Sequence, residues 1–160
     1  MSLEKPGRFR NSLTFRLTLW YAGIFAASSF VAFFLFYTLI TTLIQEKTDQ
    51  ELSNQAGQFA TVLRDRGIGA AENLALFEAQ AAGEKKVFFR LLYPTGQAFS
   101  SSNMAYWEDI PIRKEAIGQL LGGAGRVIET AVLTTRKDQV RILYAMIGPG
   151  VILQVGQSME

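Results

Sequence analysis

The sequence predicts an α+β protein in which one transmembrane helix precedes a domain built on a five-stranded antiparallel sheet with flanking helices. Three observations predict it. Residues 17–44 form an uncharged run of 28 residues in a chain of 160. A helical apolar stripe follows that run. Beyond it the pattern changes to short segments rich in β-branched and aromatic residues, separated by turn residues.

The formal net charge of +2 is unevenly spread. Residues 1–16 carry Lys5, Arg8, Arg10 and Arg16 against Glu4, which is +3; residues 17–44 carry none; residues 46–160 carry 12 basic and 13 acidic side chains, which is −1. About 20 apolar residues span the hydrocarbon core of a bilayer, so residues 17–44 are long enough to cross it. Trp20, Tyr21 and Tyr37 stand near the ends of the run, where amphipathic rings favour the headgroup level. Basic residues precede the run, and Glu46, Asp49 and Glu51 follow it. The positive-inside rule then puts the N-terminus in the cytoplasm and residues 46–160 on the far side.

Two other readings fit less well. A cleavable signal peptide has an apolar core of about 7–15 residues and a small-residue cleavage site. This run is far longer, and residues 41–46 lack such a site. The buried helix of a soluble protein carries some polar face, whereas this run carries only Ser and Thr. Gly23 and Ala27, like Ala22 and Ala26, have the spacing of a close helix–helix contact, though so Ala-rich a segment produces it by composition.

Residues 46–66 contain no Pro, and Leu52, Ala56, Phe59 and Leu63 recur at spacings of four, three and four. That puts the four on one helical stripe. No breaker separates this helix from the apolar run, so the two are expected to be continuous. The stripe either buries against its own domain or forms a dimer seam, as a signalling helix would. Gly67 and Gly69 end it. Residues 70–82 predict a second helix with Leu74, Phe77 and Ala81 on one face, stopped at Gly83.

Residues 87–93 then read as a strand, with Phe88, Arg90 and Leu92 on one face and Val87, Phe89, Leu91 and Tyr93 on the other. Pro94-Thr95-Gly96 supplies a tight turn into a short strand at residues 97–101. A loop with Tyr106, Trp107 and Pro111 leads to a short helix at residues 112–121, which Gly122-Gly123 ends. Three strands close the chain, at residues 126–134, 139–147 and 151–155. The links at residues 135–138 and at Gly148-Pro149-Gly150 suit antiparallel neighbours. The helices are expected to cover one face of the sheet.

Catalytic and metal chemistry find little to work with. The chain has no Cys and no His, which removes thiolates, the commonest general base and the commonest metal ligand. The Gly-rich stretches lack the Lys-Ser/Thr follower of a phosphate loop, and Ser101-Ser102 have no His to activate them. No metal site and no cofactor are expected within the chain. Nucleic acid is excluded as a partner, because the basic excess is confined to the tail. One candidate remains: if Arg90 and Arg141 share a face beside Tyr93 or Tyr144, they form a site for a small ligand or anion. Otherwise both arginines lie over apolar neighbours on an open face.

The segment Ser12-Leu13-Thr14-Phe15-Arg16-Leu17-Thr18-Leu19-Trp20-Tyr21 resembles the start of bacterial two-component sensor histidine kinases, especially the heavy-metal (copper/silver) sensor type. Residues 88–96, FFRLLYPTG, are similar to a hairpin of that family, although Tyr93 stands where the family often has Asp. Residues 150–158, GVILQVGQS, are similar to the strand before its second membrane helix.

The resemblance implies a basic cytoplasmic tail at residues 1–16, a helix across the bacterial inner membrane at residues 17–44, and a PAS-like periplasmic sensor domain at residues 45–160. It implies a homodimer that touches membrane lipid and senses an unidentified small ligand or ion. The second membrane helix, the ATP- and Mg-dependent kinase region and the response-regulator contact would lie outside this chain. The metal-sensing members use His and Met ligands, and no His is present to carry over. Two other outputs fit the same sequence: a membrane-anchored binding or scaffold protein without a kinase, and the input of a chemoreceptor or cyclase.

Overall fold

The computed structural model describes residues 13–133 and 138–159. The tail residues Lys5, Arg8, Arg10 and Ser12, and most of the link at residues 135–138, lie outside the described residues. The chain divides into two compact units, Met1–Ile44 and Gln45–Glu160. Helix α1 (Leu13–Arg66, 54 residues) belongs to both. It contains no Pro, and its glycines are Gly23 and Gly57, so no strong breaker interrupts its hydrogen-bond ladder.

In the first unit the apolar side chains of α1 are exposed, Phe25, Phe30 and Phe33 at 73–75%. By length and composition this helix is able to cross a bilayer.

The second unit is an α+β fold. After α1 come α2 (Ile68–Ala82), β1 (Val87–Leu92), β2 (Ala98–Ser101), α3 (Lys114–Leu121), β3 (Arg126–Val132), β4 (Gln139–Gly148) and β5 (Val151–Ser158). The five strands form one antiparallel sheet in the order β2-β1-β5-β4-β3. The turn between β1 and β2 closes through Gly96 N–H donating to Tyr93 O (2.8 Å), with Gly96 at φ +85°.

The helices do not share one face of the sheet, contrary to the expectation drawn from their order in the sequence. Strand residues alternate between two separate cores. Val87, Phe89 and Leu91 pack with Leu143, Ala145, Leu153 and Val155 under α1 and α2. Phe88 and Leu92 pack with Val140, Ile142, Tyr144 and Ile152 under α3 and the loop before it. Because β1, β4 and β5 are apolar on both sides, both faces need a cover. The loop is tied down by side-chain contacts. The Ser102 hydroxyl accepts from Phe89 N–H (3.0 Å), Trp107 Nε1–H donates to Glu84 O (2.7 Å), and the Trp107 ring lies 5.1 Å from Phe88.

The α1 stripe packs inside its own domain. Leu52, Ala56 and Phe59 are buried, Phe59 stacks on Phe89 at 5.1 Å, and Leu63 is half-buried with its Cδ2 against the backbone of Gly148. A Cβ at Gly148 would stand 2.6 Å from that methyl group. Leu52, Ala56 and Phe59 are therefore taken up by the domain's own core, and Leu63 is partly so. The expected inner face of α2 is also different. Ala71, Ala75 and Ala79 are buried and Leu74 packs beside them, while Phe77 is 67% exposed and Ala81 is exposed. Small side chains let α2 lie close to the sheet, and that proximity outweighs the larger apolar area of the other face.

Candidate functional site

On each face of the sheet one row of polar residues crosses neighbouring strands. The two rows are closed by different partners.

On the face under α1 the row is Thr130 (β3), Arg141 (β4) and Gln157 (β5), paired Thr130↔Arg141 and Arg141↔Gln157. Helix α1 supplies the acids. Arg141 donates from Nε to Asp49 Oδ1 (2.6 Å) and from Nη2 to Asp49 Oδ2 (2.7 Å), a bidentate pair, and from Nη1 to the Thr130 hydroxyl (2.7 Å). The side chains are 19% and 29% exposed, so the pair is partly shielded from water. The hydrogen bond to Asp49 raises the Arg141 pKa above its ordinary value, against a smaller opposing effect of burial. One step along the row, Gln157 Nε2 lies 3.5 Å from Glu51 Oε2.

On the opposite face the row is Arg90 (β1), Gln154 (β5) and Tyr144 (β4), paired Arg90↔Gln154 and Tyr144↔Gln154. Gln154 and Tyr144 are fully buried. Arg90 Nη1 donates to Gln154 Oε1 (3.3 Å) and to Ile110 O (3.0 Å), and Gln154 Nε2 donates to the Tyr144 hydroxyl (2.9 Å). That hydroxyl also accepts from Arg113 N–H (3.3 Å) and donates to Pro111 O (3.4 Å). The loop before α3 is thus pinned to the row by its own backbone. Burial raises the Tyr144 pKa and keeps the phenol neutral. Burial also lowers the Arg90 pKa, against a smaller opposing effect of the Tyr144 phenol.

The expected ligand residues are therefore divided. Arg90 and Tyr144 belong to one row through Gln154. Arg141 is on the other face, so the two arginines do not converge. Tyr93 belongs to neither row: it is 47% exposed and lies 4.6 Å from the Phe99 ring on the hairpin. Sequence reasoning passed over Gln154, an amide between apolar residues of β5, and treated Asp49 only as a topology signal. A polar residue at an inward position of a strand buried on both faces is the signal that would have found Gln154. Asp49 offered none, since its partner is 92 residues away.

No protein-family model matches the sequence, and no curated protein matches it significantly.

The Asp49–Arg141 geometry sets a measurable coupling. Asp49→Asn and Arg141→Gln are each expected to destabilise the fold by about 2 kcal/mol, the scale of hydrogen bonds to charged groups. The double variant should lose clearly less than the sum, with a coupling energy of about 1–3 kcal/mol from denaturant unfolding in detergent. Additive losses would show that the pair contributes nothing of its own.

Proposed function

We propose that this chain is the extracytoplasmic input module of a membrane-bound two-component sensor histidine kinase. Residues 17–44 cross the inner membrane, the N-terminus is cytoplasmic, and residues 46–160 form a PAS-like periplasmic sensor domain. The observation that carries the reading is α1. One helix exposes a belt of Phe, Leu and Ile over its first half and gives Leu52, Ala56 and Phe59 to a sheet domain in its second. Exposing such side chains to water costs roughly 1.5–3 kcal/mol each, a cost that lipid removes. The hydroxyls within the run return to the helix: Thr18 donates to Thr14 O, Thr41 to Tyr37 O and Thr42 to Thr38 O, at 2.9–3.0 Å. That is the requirement for polar groups in hydrocarbon. A five-stranded antiparallel sheet covered on both faces supports the PAS-like reading.

In this mechanism a stimulus at the sheet shifts its packing against residues 45–66 of α1. Arg141 and Asp49 make the charged contact through which that shift is felt. Two packing states of a homodimer would differ in kinase output. The buried stripe is not the seam. On the opposite side of α1, Lys47, Gln50, Asn54, Gly57 and Thr61 are exposed at spacings of three and four, the period of a two-helix seam. Three of them, Lys47, Gln50 and Asn54, line a groove of about 600 Å³.

Topology can be read directly because the chain has no native thiol. In intact cells, Thr95→Cys is expected to react with a membrane-impermeant maleimide, and Ser2→Cys only after permeabilisation. The reverse pattern overturns the orientation. Asn54→Cys in membranes is expected to give a disulfide-linked dimer under mild oxidation, and a purely monomeric product sinks the proposed seam. Finally, the protein that carries this chain, incubated in vesicles with labelled ATP, is expected to take up phosphate on histidine. A protein that takes up none is a binding or scaffold protein instead.

A further inference from the structure

Arg90 and Arg141, the arginines of the two polar rows, have unequal partners. Arg141 has a bidentate carboxylate. Arg90 is half-buried, and among the described residues no carboxylate lies within ion-pair distance of it. Its charge meets two neutral acceptors, Ile110 O and Gln154 Oε1, and the face of the Phe88 ring at 5.6 Å from Cζ. Both hydrogen bonds come from Nη1. Among the described residues the other edge of the guanidinium, Nε and Nη2, has no hydrogen-bond partner, and neither atom is fully buried.

That edge is the fork whose two parallel N–H groups match a carboxylate bidentately. Its surroundings strengthen such a contact. Its two partner residues, Ile110 and Gln154, are buried, as is Tyr144 next in the row, which limits the water that competes. The position of the fork is set by the row itself, because Gln154 is held by Tyr144, and Tyr144 by Pro111 and Arg113 on the loop. A half-buried cation without a counter-ion is unfavourable, and binding an anion removes that penalty.

We propose that the Arg90 guanidinium, presented between β1 and the loop before α3, is a binding site for a small carboxylate or related oxyanion. As the stimulus of the input module this ligand class rests on the function proposed above; the binding itself does not. The bound anion would draw on Arg90 beside Ile110 O, the contact that ties the loop to the sheet.

Isothermal titration of the whole chain in detergent tests the site, with acetate, succinate and inorganic phosphate as separate probes. Saturable binding of at least one probe is expected. Arg90→Gln should weaken it about tenfold or more, as the loss of one charge-assisted pair requires. Arg90→Lys keeps the charge without the fork, and should weaken the planar carboxylates more than phosphate. Arg126→Gln, on the exposed end of β3, should leave affinity unchanged. Thermal unfolding and far-UV circular dichroism show whether each variant is folded, and the Lys variant decides if the Gln variant is not. No saturable binding of any probe overturns the site, and so does equal weakening by the Arg90 and Arg126 variants. Binding that depends on Arg90 in a protein that shows no histidine phosphorylation would keep the site and remove the kinase reading.

Discussion

A sheet that is apolar on both sides is the constraint from which the rest of the second unit follows. β1, β4 and β5 each deliver large side chains to two opposite cores, so the sheet is stable only when both faces are covered. One cover comes from α1 and α2. The other is thinner: a helix of eight residues and a loop held by Trp107, Ser102 and Tyr144. The close approach of Phe88 to Gly156 belongs to this second core, where a Cβ on Gly156 would stand 2.7 Å from the ring Cζ. Little volume is left for rearrangement there, and the loop is the part of that cover held mainly by hydrogen bonds.

The two polar rows divide the molecule's electrostatics between these covers. Under α1 the row is neutralised by acids on the helix, in an ion pair that is partly shielded and oriented by Thr130. Such a pair stabilises modestly but discriminates sharply among alignments, because two hydrogen bonds must be made together. Under α3 the row is held by carbonyls and amides and retains a positive charge. The same sheet therefore has one face whose arginine is paired with a carboxylate and one whose arginine is not.

Much of the fold was legible in the sequence. Every helix and strand was located, because the apolar period changes from the α1 stripe to the alternation of β1 and the glycines stand at the turns. The face assignments were less legible. Alternation in β1 was read correctly, yet it says nothing about which helix lies on which side. The α2 face was misread because Leu74 and Phe77 carry the larger apolar area, while Ala71, Ala75 and Ala79 allow the closer approach. The rows were hidden for a different reason. Arg90 and Arg141 were visible as candidates, but their separation depends on strand parity across a register that only the pairing of β4 and β5 sets. Asp49 is joined to Arg141 across 92 residues, beyond the reach of any local pattern.

The fit of Leu63 against Gly148 has a consequence for how α1 can move on the sheet. The leucine sits where the strand backbone offers no Cβ, and Asp49 makes its paired bonds several turns away, so two distant points fix the helix lengthwise. An axial slip to the next equivalent alignment would take one turn, about 5.4 Å. It would bring Gln45 or Ser53 in place of Asp49 and leave the arginine facing an uncharged side chain. Sliding is thereby penalised at both anchors at once. Rolling or tilting about the line joining them disturbs neither, and those are the motions this domain leaves inexpensive.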